Sequence, residues 1–265
     1  MIASLPMYDA DRPAVARWWE GLADHLRDQG VAGVPAALLW PDELPAHWKD
    51  PALLLSQACG YPLMHALRHH VQVVGTLVYG APGCEGIHYT SHVLVRDEEP
   101  GQTVKDFRDR VVAYNSVDSH SGYHALRALV APLANQGRFF GRAQRSGGHR
   151  ASLQLLQERQ ADIAAIDCVT LAGLSRAAPG LLRGLRRIAS TTPVPGLPMV
   201  TARGTHRATL DALRRALHQA VSDPALADAR AALAIRGFQV TNRSNYRVIA
   251  EQAAQADALG YSALP

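Results

Sequence analysis

Short apolar runs rich in β-branched or Leu residues recur along the chain, each followed by polar or small residues and then by apolar positions at helical spacing. Ile2–Met7 reads as a first strand ending at Tyr8-Asp9, and Val15, Trp18, Trp19 and Leu22 form the stripe of a following helix with Pro13 near its start. Ala36–Trp40 reads as a second strand, and Leu53-Leu54-Leu55 as a third, running into Ser56–Pro62 and a helix. Val71–Tyr79 and His88–Arg96 flank the Gly/Pro-rich Gly80–Gly86, which predicts a hairpin. Asp97–Gly101 is a charged, Pro-containing break, and the expected crossing point between two lobes. Beyond it, strands are expected at Val111–Tyr114, Asp162–Ile166 and Leu185–Ser190, with a helix over Ala151–Gln160. A Pro-rich return at Thr191–Pro198 leads to Met199–Thr201. Three helices then follow, the last starting at Ser244 and ending at Gly260.

This alternation predicts an α/β architecture. The polar residues gather after the predicted strands: Tyr8, Gln57–Tyr61, Asn115–Gly122, Ser146–His149 and Asp167–Thr170. In open α/β sheets, ligands bind outside the carboxyl ends of the strands, so these turns form one candidate site. The densest is Asn115–Gly122, where Asn115, Ser116, Asp118, Ser119, His120 and Ser121 precede a helical pattern carrying Leu126, Leu129 and Val130. A helix start has backbone N–H groups without intrahelical acceptors, so the turn is either an ordinary cap or an anion site.

The chain has 265 residues and is 48% hydrophobic, enough for one large or two medium domains. Its formal charge is only +4, with Lys confined to Lys49 and Lys105, and the basic residues are too scattered to suggest nucleic-acid binding. No run approaches a membrane span, and Ile2–Tyr8 reads as a strand where a signal peptide would be apolar and basic-flanked. The chain is therefore expected to be periplasmic if exported and otherwise cytoplasmic. Cys59, Cys84 and Cys168 do not have metal-site spacing; Cys59 and Cys84 either pair or remain thiols. The pairs His65/His69, His88/His92 and His120/His124 lack a matching third ligand, and no metal or cofactor is expected.

The ordered set LSQACGYPL (55–63), VVAYNSVDSHSGYHALR (111–127), SGGHRASLQLL (146–156) and ADIAAIDCVT (161–170) resembles the phosphate/phosphite/phosphonate family of ABC-transporter substrate-binding proteins. The resemblance takes in nearly the whole chain. It implies a type II periplasmic-binding-protein fold: two α/β lobes, each a central mixed sheet flanked by helices, joined by two crossing strands and closing over an anion. The lobes would be 1–96 plus 197–265, and 97–196. Carried over by position, the ligand residues would be Tyr8 and Tyr61, then Ser116, Ser119 and Ser121, then His149 and Asp167; Asn115 and His120 of the same turn are added as ligand-binding candidates. Thr90 and Ser91 are further candidates. Asp167 would accept a proton-borne hydrogen bond from the ligand or cap the next helix, and Asp118 would repel an anion if it pointed inward. The implied partners are a small anionic ligand and an ABC permease, with the protein a monomer. The alternative is a cytoplasmic enzyme or ligand sensor on the same fold, with His149 or His120 beside Asp167 as an acid/base pair.

Overall fold

The computed structural model describes residues 1–265, which divide into two compact units: Met1–His88 with Pro195–Arg247, and Tyr89–Val194 with Val248–Pro265.

In the first unit, a mixed sheet has the order β1-β2-β11-β3-β12, formed by β1 (Ile2–Ser4), β2 (Leu53–Gln57), β11 (Pro198–Ala202), β3 (Val71–Tyr79) and β12 (Ile235–Gln239). β1 and β2 are parallel, while β11 runs antiparallel to both β2 and β3, so the first three strands of the chain share one direction. β12 is antiparallel to β3. Helix α1 (Arg12–Asp28) starts on Asp11, whose side chain accepts from Ala14 N–H, and Pro13 occupies its first turn. Its apolar stripe buries Trp18, Trp19, Leu22 and Leu26 and packs on α7 (Arg207–Ala220) and α8 (Ala227–Leu233). β1 and β2 are also joined by a buried polar chain, in which Ser4 Oγ lies 2.7 Å from His47 Nε2 and 2.8 Å from Ser56 Oγ. His47 belongs to the short helix α2 (Leu44–Trp48); the single turn α3 (Gly60–Met64) follows β2.

The second unit has a sheet of order β7-β6-β8-β5-β9: β7 (Arg142–Arg145), β6 (Val111–Tyr114), β8 (Ile163–Asp167), β5 (Ser91–Arg96) and β9 (Leu185–Ser190). β6, β7 and β8 are parallel and β5 is antiparallel to β8. Helices α4 (Ala125–Val130), α5 (His149–Gln157) and α6 (Cys168–Ala177) pack on these strands. The core gathers Val93, Val95, Phe107, Val112, Leu126, Phe139, Phe140 and Ile163, together with Ala256, Tyr261 and Leu264 from the end of the chain.

Several expectations are corrected. Ala36–Trp40 is irregular: Pro35 and Pro41 bracket it, only Leu39 N–H bonds to Ala3 C=O, and Leu39 is exposed. β3 and β5 do not pair as a hairpin, because β3 lies between β11 and β12 while β5 lies between β8 and β9. The run His88–Arg96 breaks at Thr90 into β4 (His88–Tyr89) and β5, and β4 pairs with β10 (Val194–Pro195). The chain thus changes unit at His88/Tyr89, ahead of the charged break at Asp97, and returns at Val194/Pro195. A third passage at Arg247/Val248 was not expected from the sequence. It falls at the start of α9 (Arg247–Ala258), so residues 248–265 pack with the second unit and not with the first. No disulfide joins the cysteines.

Candidate functional site

Because β6, β7 and β8 are parallel and β5 runs the other way, the ends of the first three and the start of the fourth lie at one end of the second unit's sheet. That register brings Thr90, Ser91, Asn115–Ser121, Ser146–His149 and Asp167 to the same end. Ser91 pairs with Asp167, and Thr90 C=O accepts from Cys168 N–H at 3.1 Å. Gly147 N–H donates to Asn115 C=O at 3.0 Å, tying the β7 turn to the β6 turn.

The turn after β6 enters its helix through one π-helical turn, His120–His124, before α4 continues. Ser119 is the cap: its hydroxyl accepts from Gly122 N–H at 3.2 Å. With that role filled by Ser119, Ser121 points elsewhere, and its Oγ lies 3.0 Å from Nε2 of His149. His149 is the first residue of α5, and its Nδ1 is buried without a hydrogen-bond partner. His120 is 1% exposed, with the Tyr89 ring centroid 6.4 Å away. Burial pushes the imidazoles of both His120 and His149 down to about 4, so each ring is neutral at pH 7.

Asp167 is 2% exposed, and its Oδ1 caps α6 by accepting from Val169 and Thr170 N–H at 2.8 and 3.0 Å. The capping alternative therefore holds for that oxygen. Asp118 is engaged within its own turn, where Ser116 Oγ donates to Asp118 Oδ1. This hydrogen bond ties Ser116 and Asp118 to each other and sets them apart from Ser119 and Ser121.

In the first unit, β1, β2 and β3 deliver Tyr8, Gln57 and Tyr79 to one sheet end. Gln57 Nε2 donates to Tyr79 Oη at 2.9 Å, and the Tyr8 and Tyr79 rings meet edge to face at 5.0 Å. Tyr61 lies on α3 with its ring 4.2 Å from that of His65. Gln57 heads the Gln57–Tyr61 turn of the candidate site read from the sequence, whereas Tyr79 is not among the residues that reading names. The signal was present only as the final polar position of each strand. No group of three His, Cys, Asp or Glu side chains comes together as a metal site, and no helix is long and apolar enough to cross a membrane.

Two mixed α/β sheets, each with polar residues collected at the ends of its parallel strands, define the class of type II periplasmic binding proteins. The chain belongs, more narrowly, to the periplasmic substrate-binding proteins of phosphonate ABC transporters, whose family model matches residues 5–246. Solved structures share the fold at low identity. PhnD1 from Prochlorococcus marinus, solved with methylphosphonate, has a TM-score of 0.78 at 13% identity over 97% of each chain. A binding-protein component of an ABC phosphonate transporter from Pseudomonas aeruginosa gives 0.75 at 17%, over 98% of this chain and 87% of the other. A Xanthomonas citri protein solved bound to ATP gives 0.73 at 16%, over 97% of each. A search of curated protein sequences found no significant match. The family is one of transport binding proteins, not of enzymes.

Proposed function

We propose that this chain binds a small phosphorus oxyanion, a phosphonate before phosphite or phosphate, and hands it as a periplasmic monomer to an ABC permease. The observation that carries the reading is the pairing of Ser121 with His149 at the strand ends of the second unit, beside the Ser119 cap. These groups offer hydroxyl, imidazole and backbone N–H donors without a buried Lys or Arg. Such neutral donors suit an anion that must be released again, because they hold it by short-range hydrogen bonds. Asn115, Thr90, Ser91 and the second oxygen of Asp167 complete the second unit's set in this reading, and Tyr8 and Tyr61 provide the first unit's. Family membership supports the ligand class and the permease as partner.

Thermal-shift measurements on the full chain test it. At a ligand concentration about 100 times Kd, mass action stabilises the folded state by ~2.7 kcal/mol, a rise in Tm of about 5–10 °C. Methylphosphonate, phosphite and phosphate should produce such a rise and sulfate should not. Ser121→Ala and His149→Ala should abolish it while leaving the ligand-free Tm within a few degrees. A flat response to all phosphorus oxyanions would refute the assignment.

A further inference from the structure

The end of the first unit's sheet opposite Tyr8 and Tyr79 is strongly basic. β11 ends at Ala202, paired with Val71 where β3 begins, so the loops 65–70 and 203–206 lie side by side there. Arg203 N–H donates to His70 C=O at 2.7 Å, and Gln72 Nε2 donates to the carbonyls of Arg203 and Thr205 at 2.9 and 2.8 Å. Arg243 reaches the same place through its guanidinium, which donates to Leu63 C=O and, at 3.0 Å, to Val71 C=O. We propose that this end, formed by Arg68, His69, His70, Arg203, His206 and Arg243, is a docking surface for an anionic phospholipid bilayer, held through the headgroup phosphates.

Three observations carry it. The first is exposure: all of these side chains are open to solvent except Arg243, which is half-buried. The arginines supply the charge and the histidines further donors. The second is the lack of counter-charge. Segments 51–84, 195–210 and 229–247, which hold these residues, contain no Asp or Glu. None of Arg68, Arg203 and Arg243 has a carboxylate partner, whereas Arg12 and Arg27 of the same unit are paired with Asp9 and Asp24. Burial, and then repulsion by Arg203 and Arg68, hold the Arg243 guanidinium below its ordinary range. Like charges gathered without partners repel one another, and an anionic plane relieves them. The third is the company these cations keep. Ala66 is exposed, and so is Val240, at 45%, three residues before Arg243. A guanidinium takes a phosphate through two parallel donors, and apolar side chains beside it enter the headgroup layer. For a binding protein of an ABC transporter, this surface would keep the molecule beside the membrane that carries the transporter.

Co-sedimentation of the full chain with lipid vesicles tests this. At about 0.01 M salt the chain should sediment with mixed phosphatidylglycerol–phosphatidylcholine vesicles and not with phosphatidylcholine alone, and it should do so less at about 0.15 M. Arg68→Gln and Arg203→Gln should each lower the partition about fivefold, the equivalent of ~1 kcal/mol per basic residue at an anionic surface, with Tm unchanged. Arg12→Gln and Arg27→Gln change the net charge equally but remove paired arginines, and they should leave the partition within about twofold. Ser121→Ala, which alters the candidate ligand site of the second unit, should also leave it unchanged. The proposal is overturned if the chain binds neither kind of vesicle or both equally, or if the paired-arginine variants lose as much as Arg68→Gln and Arg203→Gln. Loss of binding in Ser121→Ala would assign the lipid phosphate to the second unit's site instead. Binding to polyglutamate but not to vesicles would make this end a surface for an acidic protein, and that too would overturn it.

Discussion

His120 and His149 are the residues whose chemistry departs furthest from that of the free side chain. An imidazole in water titrates near 6.5, but burial holds both of these at about 4. Between those values the unfolded chain takes up protons that the folded chain refuses. Stability therefore falls as pH drops from about 6.5, and the loss levels off below about 4. For a ring as buried as His120 the full loss is on the order of 3 kcal/mol. The expected outcome is a Tm that declines steadily between pH 6.5 and 4, with a shallower decline in His120→Gln. An identical slope in the two proteins would show that other groups carry the acid sensitivity. The same depression has a consequence for binding. Both rings stay neutral across the physiological range, so they meet an anion as hydrogen-bonding groups and not as charges.

At the scale of elements, the π-helical turn His120–His124 decides where these side chains go. It is packed so closely that a Cβ on Gly122 would stand 2.2 Å from Asn115 Oδ1. Gly122→Ala must therefore displace the Asn115 amide, the softer of the two partners. We expect it to cost about tenfold or more in ligand affinity with a fall in Tm of only a few degrees, measured by titration and melting. Affinity equal to that of the unaltered chain would place Asn115 outside the site. This element also marks the limit of what was legible in the sequence. The succession of apolar run, polar turn and apolar stripe is local, and it located β2, β6, β8 and their following helices because periodicity is a local property. The polar residues at those ends were legible for the same reason. Strand partnership is not local: a Gly/Pro-rich loop between two strands has the same composition whether it closes a hairpin or carries the chain into another sheet, so the pattern predicts a hairpin where the fold puts β3 and β5 in different sheets. Proline bracketing was the local clue that Ala36–Trp40 was no strand. Gln57 stands at a strand end and is legible there, but its partner Tyr79 meets it only through the fold, so nothing in the neighbourhood of Tyr79 announces it.

At the scale of the whole molecule, the end of the chain is hydrogen-bonded to the helix that follows the candidate turn and to that turn itself. Arg127 lies on α4, directly after the turn that carries Ser119 and Ser121, and it is 2% exposed. Its guanidinium donates to the Asp257 carboxylate and to the carbonyls of Ala253, Tyr261 and Ser262, at 2.9–3.0 Å for the three carbonyls. Leu264 N–H donates to Tyr123 Oη, so the last residues are joined both to α4 and to the π-helical turn before it. No other side chain has this reach: lysine has one ammonium where arginine presents a fork of donors. Arg127→Met would leave buried carbonyls without donors, a loss on the order of 3–5 kcal/mol. Truncation after Ala258 would also remove Tyr261 and Leu264 from the core. The tryptophans make the two units separable in one experiment, since Trp18, Trp19, Trp40 and Trp48 all belong to the first. In a urea titration of Arg127→Met, circular dichroism should begin to fall at lower urea while tryptophan fluorescence keeps its original midpoint. The same variant should bind its ligand more weakly, and saturating ligand should draw the two transitions back together. Coincident transitions at the unaltered midpoint would mean that the tail is packed on the second unit without stabilising it. In that case the π-helical turn would owe its geometry to Ser119 and Asn115 alone.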